Sequence, residues 1–157
     1  RTGWTTQQAL AIEMPIYRDQ KPDFATLLIG VNDWVQGIDA KTFRERFARL
    51  LNEILAELPQ KQNILVLTIP DFSATPKGRV YSGGRDISIG IAEFNKIIIE
   101  ESSKKSVKVV DIFGISKEMA KDRRLVARDG LHPSALEYAK WEELVYPVVY
   151  EILAKQM

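Results

Sequence analysis

Cysteine is absent from the 157 residues, and histidine occurs once. Without cysteine there is no disulfide framework, no thiolate nucleophile and no thiolate zinc site. The absence leaves the compartment open, with a cytoplasmic one favoured. One histidine also suits metal chemistry poorly, even with Asp129 and Asp33 as further ligands to His132, so neither a metal nor a cofactor is expected. No sign of charge prevails: 22 Lys+Arg against 21 Asp+Glu leave +1. Arg44, Arg46 and Arg49 share a stretch with Glu45, Glu53 and Glu57, so no basic stripe points to nucleic acid. No apolar run approaches the roughly 20 residues of a membrane span. Dinucleotide and P-loop fingerprints are missing, and so is Gly-x-Ser-x-Gly.

What is present reads as an α/β domain. Hydrophobic residues make up 45% and charged residues 27%, the ordinary balance of a globular chain. Three short apolar runs, 24–29, 63–69 and 107–111, are each followed by a loop and a helical pattern. Near-continuous hydrophobicity suits strands covered on both faces, hence a parallel sheet. The spacing predicts a helix from about Ala40 to Leu58, with Phe43, Phe47, Leu50, Leu51, Ile54, Leu55 and Leu58 on one face and Pro59 ending it. A second is predicted around 86–102. A third begins near Ser134 with a Ser134…Glu137 capping box, and its core stripe is Tyr138, Trp141, Val145, Val148 and Ile152. Pro147 is expected to kink it. A short helix, also with a capping box, follows Thr5. The segment 71–84, rich in Pro, Gly, Ser and Lys, reads as a binding loop or as a disordered surface loop.

Three places carry polar groups suited to chemistry. The first strand ends in Gly30-Val31-Asn32-Asp33, and ligands of parallel sheets bind at such carboxyl ends. The Asn32 amide can donate to a developing oxyanion, although Asn-Asp also reads as a simple turn and cap. Asp129 precedes His132 by three residues, within reach to hold one imidazole tautomer. The alternatives are a loop histidine bonded to a cap, or Asp111 as its partner. Gly3 can present a bare backbone N–H.

In this order, Thr2-Gly3-Trp4-Thr5-Thr6, Gly30-x-Asn32-Asp33 and Asp129-x-x-His132-Pro133, the chain resembles the SGNH (GDSL-like) hydrolases. Gly3, Asn32 and His132 match three of the four residues that name the family. The resemblance implies a three-layer, flavodoxin-like α/β fold and a serine ester hydrolase. In it His132 and Asp129 are catalytic, while Asn32 and Gly3 form the oxyanion hole. Trp4, Asp33, Trp34 and Tyr81 are candidate substrate contacts, and the substrate is a small-molecule, glycan or lipid ester. The family's Gly-Asp-Ser block has no counterpart: none of the eight serines follows a strand as required, and Ser82 comes nearest only by composition. Residues 1–157 are therefore read as one domain entered partway. The nucleophile, with a further βαβ unit of roughly 30 residues or more, is expected upstream and packed against this chain. The fragment alone is expected to be inactive. The alternative is a non-catalytic carbohydrate- or ligand-binding module on the same scaffold.

Overall fold

The computed structural model describes residues 3–154, so Arg1 and Thr2 of the first motif lie outside the described residues. The chain starts with α1 (Thr6–Gln8), a π-helical turn (Ala9–Glu13) and α2 (Met14–Gln20). The expected capping box forms at the start of α1, with Thr5 N–H donating to Gln8 Oε1 at 2.8 Å and the Thr5 side chain facing the Gln8 N–H in return. The π turn was not anticipated. Met14 N–H reaches the Ala9 carbonyl five residues back, and Pro15, which has no N–H for the Ala11 carbonyl, follows at once.

Strand β1 (Ala25–Leu27) leads into α3 (Val31–Val35) and α4 (Ala40–Glu57); β2 (Ile64–Leu67) leads into α5 (Ile87–Ser103). After β3 (Lys108–Val110) come α6 (Phe113–Ser116) and, last, α7 (Ala135–Ala154). The strands run parallel in the order β1-β2-β3. Asp39 caps α4 by accepting from Thr42 N–H at 2.9 Å, and Asp86 caps α5 by accepting from Ile89 N–H at 2.9 Å. Leu58 turns extended before Pro59 and stops α4.

The strand period of two sorts the core into two clusters. Ile64 and Val66 face the side covered by α4 and α5, where Phe43 and Phe94 stack at 4.1 Å between centroids. Leu65 faces the opposite side, with Val110, Ile112, Trp141 and Ile152. The result is the expected three-layer architecture: helices, a small parallel sheet, and α7.

Helix α7 contains Pro147 at an exposed position, and it departs from its sequence reading in two respects. Only half of its capping box forms. Ser134 Oγ accepts from Glu137 N–H at 3.4 Å, but the Glu137 side chain turns inward and accepts from the Trp141 indole at 2.7 Å. Tyr138, expected in the core, is 52% exposed and meets Trp141 edge-on.

One flank of the sheet is left uncovered among the described residues. Strand β1 has a neighbour on one side only. Lys140 pairs with Glu118, and Glu151 pairs with Lys108 of β3, so these positions mark the flank of α7 that faces β3. Tyr138, Tyr146 and Leu153 fall on the opposite flank at helical spacing, toward β1, and all three are exposed. No helix among the described residues is long and apolar enough to cross a membrane.

Gly30 joins β1 to α3 with φ +117°, a region that L side chains rarely adopt. A Cβ there would lie 2.8 Å from the Phe43 ring and 2.9 Å from Ile69 Cδ1. Gly30→Ala is therefore expected to lower stability by about 2–4 kcal/mol, from backbone strain plus overpacking. Thermal unfolding checks this: a Tm about 10 °C lower is expected, and an unchanged Tm would refute the tight fit.

Candidate active site

The loop that carries His132 is built from backbone pairings before any side chain enters. Val126 and Pro133 form an antiparallel bridge, with Ala127 N–H on the His132 carbonyl at 2.8 Å and Ser134 N–H on the Leu125 carbonyl at 2.8 Å. Within this hairpin-like turn, Asp129 Oδ1 accepts from the N–H groups of Leu131 and His132 at 2.9 and 3.0 Å. Its other oxygen lies 2.6 Å from His132 Nδ1. The imidazole contact, followed by the two amides, holds the Asp129 carboxyl far below the usual carboxylate range. A carboxylate can only accept, so Nδ1 carries the proton and Nε2 presents its lone pair. The His132 side chain is 63% exposed, and Nε2 has no partner among the described residues.

Asp111 does not compete for the ring. Its Oδ1 accepts from the Thr68 hydroxyl at 2.7 Å and from Phe113 N–H at 3.0 Å, which ties the end of β3 to β2. No described serine bonds to His132. Ser82 donates to the Arg79 carbonyl, Ser88 to Asp71, Ser116 to Phe113 and Ser134 to Arg124.

Asn32 reaches Trp4, the neighbour of Gly3, across 28 positions of sequence. One N–H of the Asn32 amide donates to the Trp4 carbonyl at 2.9 Å, and the other remains available. Gly3 is exposed with φ +84°, and its N–H meets no acceptor among the described residues.

Two proposed substrate contacts are corrected by burial. Asp33 is 0% exposed, with both oxygens on Thr6: Oδ2 accepts from the N–H at 2.9 Å and Oδ1 from the hydroxyl at 2.5 Å. Trp34 is 4% exposed, edge-on to Phe72 and under the Arg85 guanidinium at 4.0 Å. It also lies against Gly90, where a Cβ would overlap the indole nitrogen. Both side chains point into the molecule because Val31–Val35 is helical, so neither can line a surface cleft. Trp4 is half-buried and Tyr81 is 41% exposed. Thr6 was missed, and no local pattern links it to Asp33.

The segment 71–84 is ordered rather than loose. Asp71 is 2% exposed and accepts from Ser73 N–H at 3.0 Å and from the Ser88 hydroxyl at 2.6 Å. Lys77 N–H donates to the Gly130 carbonyl of the histidine loop at 2.9 Å. Arg85, just beyond, donates to the Trp34 and Val35 carbonyls of α3 at 2.7 and 3.1 Å. The segment thus bridges the element that carries His132 and the one that carries Asn32. Beside it lies an open cavity of about 440 Å³ lined by Ser73, Arg79, Arg85 and Ser88 among others.

Comparison with known proteins gives the family and the fold. A family model described as GDSL-like lipase/acylhydrolase matches residues 1–140. A lipase/acylhydrolase from Enterococcus faecalis is similar in structure, with a TM-score of 0.72 at 24% identity, over 98% of this chain and 72% of that one. An acetylxylan esterase from Geobacillus stearothermophilus gives a TM-score of 0.73 at 18% identity, over 94% of this chain and 68% of its own. At these identities the likeness is one of fold. No curated protein matches the chain at a significant level.

Proposed function

The chain belongs to the GDSL-like lipase/acylhydrolase family, and from that premise we propose that it forms the histidine-, asparagine- and glycine-bearing part of a serine ester hydrolase. The observation that carries the reading is the 2.6 Å contact between Asp129 and His132 Nδ1, with Nε2 turned out to solvent. A serine hydroxyl attacks the ester carbonyl while Nε2 takes its proton. The second Asn32 N–H and the Gly3 N–H stabilise the tetrahedral oxyanion. His132, now protonated, returns the proton to the departing alcohol, leaving an acyl-serine. Water activated by the same nitrogen then hydrolyses it. Esters of small molecules, sugars or lipids fit such a site, in keeping with the acetylxylan esterase and lipase/acylhydrolase among its structural relatives.

The serine belongs to a segment outside these residues. That reading draws support from the unpaired edge of β1 and from the exposed Tyr138, Tyr146 and Leu153 on the same side of α7. A further strand would satisfy the edge, and a connecting helix would bury the flank. Single-domain organisation follows from the same picture, because the added strand extends the sheet already present.

A fluorophosphonate, which reacts only with an activated serine, tests the proposal. The chain with its nucleophile-bearing segment is expected to label on one serine outside residues 1–157, and the 157 residues alone are expected not to label. A folded, complete protein that resists labelling would instead be a carbohydrate- or ligand-binding module on this scaffold.

A further inference from the structure

We propose that Asp33 is the positioning residue of the oxyanion hole, clamping residues 3–6 onto α3 so that the Gly3 N–H and the Asn32 amide keep their relative placement. This rests on the esterase reading above and assigns a task to a carboxylate that reading leaves unused.

Three side chains of α3 and its C-cap reach the same short segment. Gln36 Nε2 donates to the Gly3 carbonyl at 3.4 Å, Asn32 Nδ2 to the Trp4 carbonyl at 2.9 Å, and Asp33 accepts twice from Thr6 at 2.9 and 2.5 Å. The first is long and exposed. The third is buried, with Asp33 and Thr6 both 0% exposed, and its acceptor is a carboxyl group able to form charge-assisted bonds. Two donors of one residue on two oxygens of one carboxylate fix the orientation of Thr6 as well as its distance.

Burying an acid to hold a threonine is costly. Burial pushes the Asp33 carboxyl above its ordinary pKa, against the pull of the Thr6 donors and of Arg46. No salt bridge forms to it among the described residues. Helix α3 itself has no need of the contact, since its backbone bonds are made without Thr6. What the contact does fix is the start of α1, three residues after Gly3. The Trp4 carbonyl lies between these points, and it orients the Asn32 amide. Release Thr6, and both oxyanion donors lose their reference at once.

Two measurements test this. In the complete protein, Asp33→Ala is expected to speed amide hydrogen exchange at residues 4–8 by tenfold or more, on the order expected for local opening. The amides of β2 should keep their protection. In the complete protein the same change is expected to lower kcat about 10- to 100-fold with little change in KM. In an Asn32→Ala background, which has already lost one donor, Asp33→Ala should cost several-fold less. A purely structural role predicts losses that multiply. Unchanged exchange at residues 4–8, or multiplying losses in the double variant, would overturn the proposal. If Asp33→Ala does not fold, Thr6→Val removes only the hydroxyl donor; smaller shifts in both readouts support the clamp, and none refutes it. Full activity in Asn32→Ala alone would defeat the esterase reading, while the exchange result would still decide whether Asp33 holds the segment.

Discussion

His132→Ala in the complete protein is expected to lower kcat by about four orders of magnitude or more, the loss typical when the base of such a triad is removed. The size follows from there being one imidazole in the sequence and no second described base bonded to Asp129. Stability should hardly move, because the ring is 63% exposed. Rate and Tm therefore separate catalytic from structural loss; hydrolysis of a short-chain nitrophenyl ester beside thermal unfolding measures both. A rate within tenfold of the parent would remove His132 as the base. The pH dependence has a defined sign. The Asp129 carboxyl is held well below its ordinary value of 3.8, so its stabilising contribution is complete above that value and fades only as pH falls toward the folded pKa. Any loss of activity between pH 5 and 7 then belongs to a group other than Asp129.

Asn32→Ala is the second large effect, a fall of about 10²–10³ in kcat, as expected for one oxyanion donor. KM should change little, because the ester carbonyl of the ground state asks less of that amide than the tetrahedral oxygen does. Asn32→Asp should be at least as damaging. It keeps the shape but replaces a donor with a carboxylate facing a developing negative charge, and it also loses the bond to the Trp4 carbonyl. Loss confined to KM would show that Asn32 binds substrate and takes no part in stabilising the oxyanion.

The legibility of the sequence varied with the range of the interactions involved. Helices α4 and α5 could be read because their apolar stripes lie within the elements themselves. The strands could be read because both faces are apolar. Asp129 and His132 lie three residues apart, so proximity followed from the chain. Asp33 and Trp34 were misread for the opposite reason. Asn-Asp-Trp after a strand looks like exposed loop, and only the helical winding of 31–35, with the room left by Gly90, turns the acid and the indole inward. Glu137 was read as a cap because the pattern was right, yet the buried indole of Trp141 offered a donor in a drier setting. The π turn at 9–13 depends on a hydrogen-bond register that no residue pattern encodes.

The bare side of β1 bears on handling as much as on catalysis. The unpaired strand edge, together with Tyr138, Tyr146 and Leu153, each at least 40% exposed, makes an adhesive seam on a molecule whose net charge is only +1. Electrostatic repulsion between copies is correspondingly weak. Colloidal behaviour in dilute buffer will therefore be governed by whatever occupies that seam first.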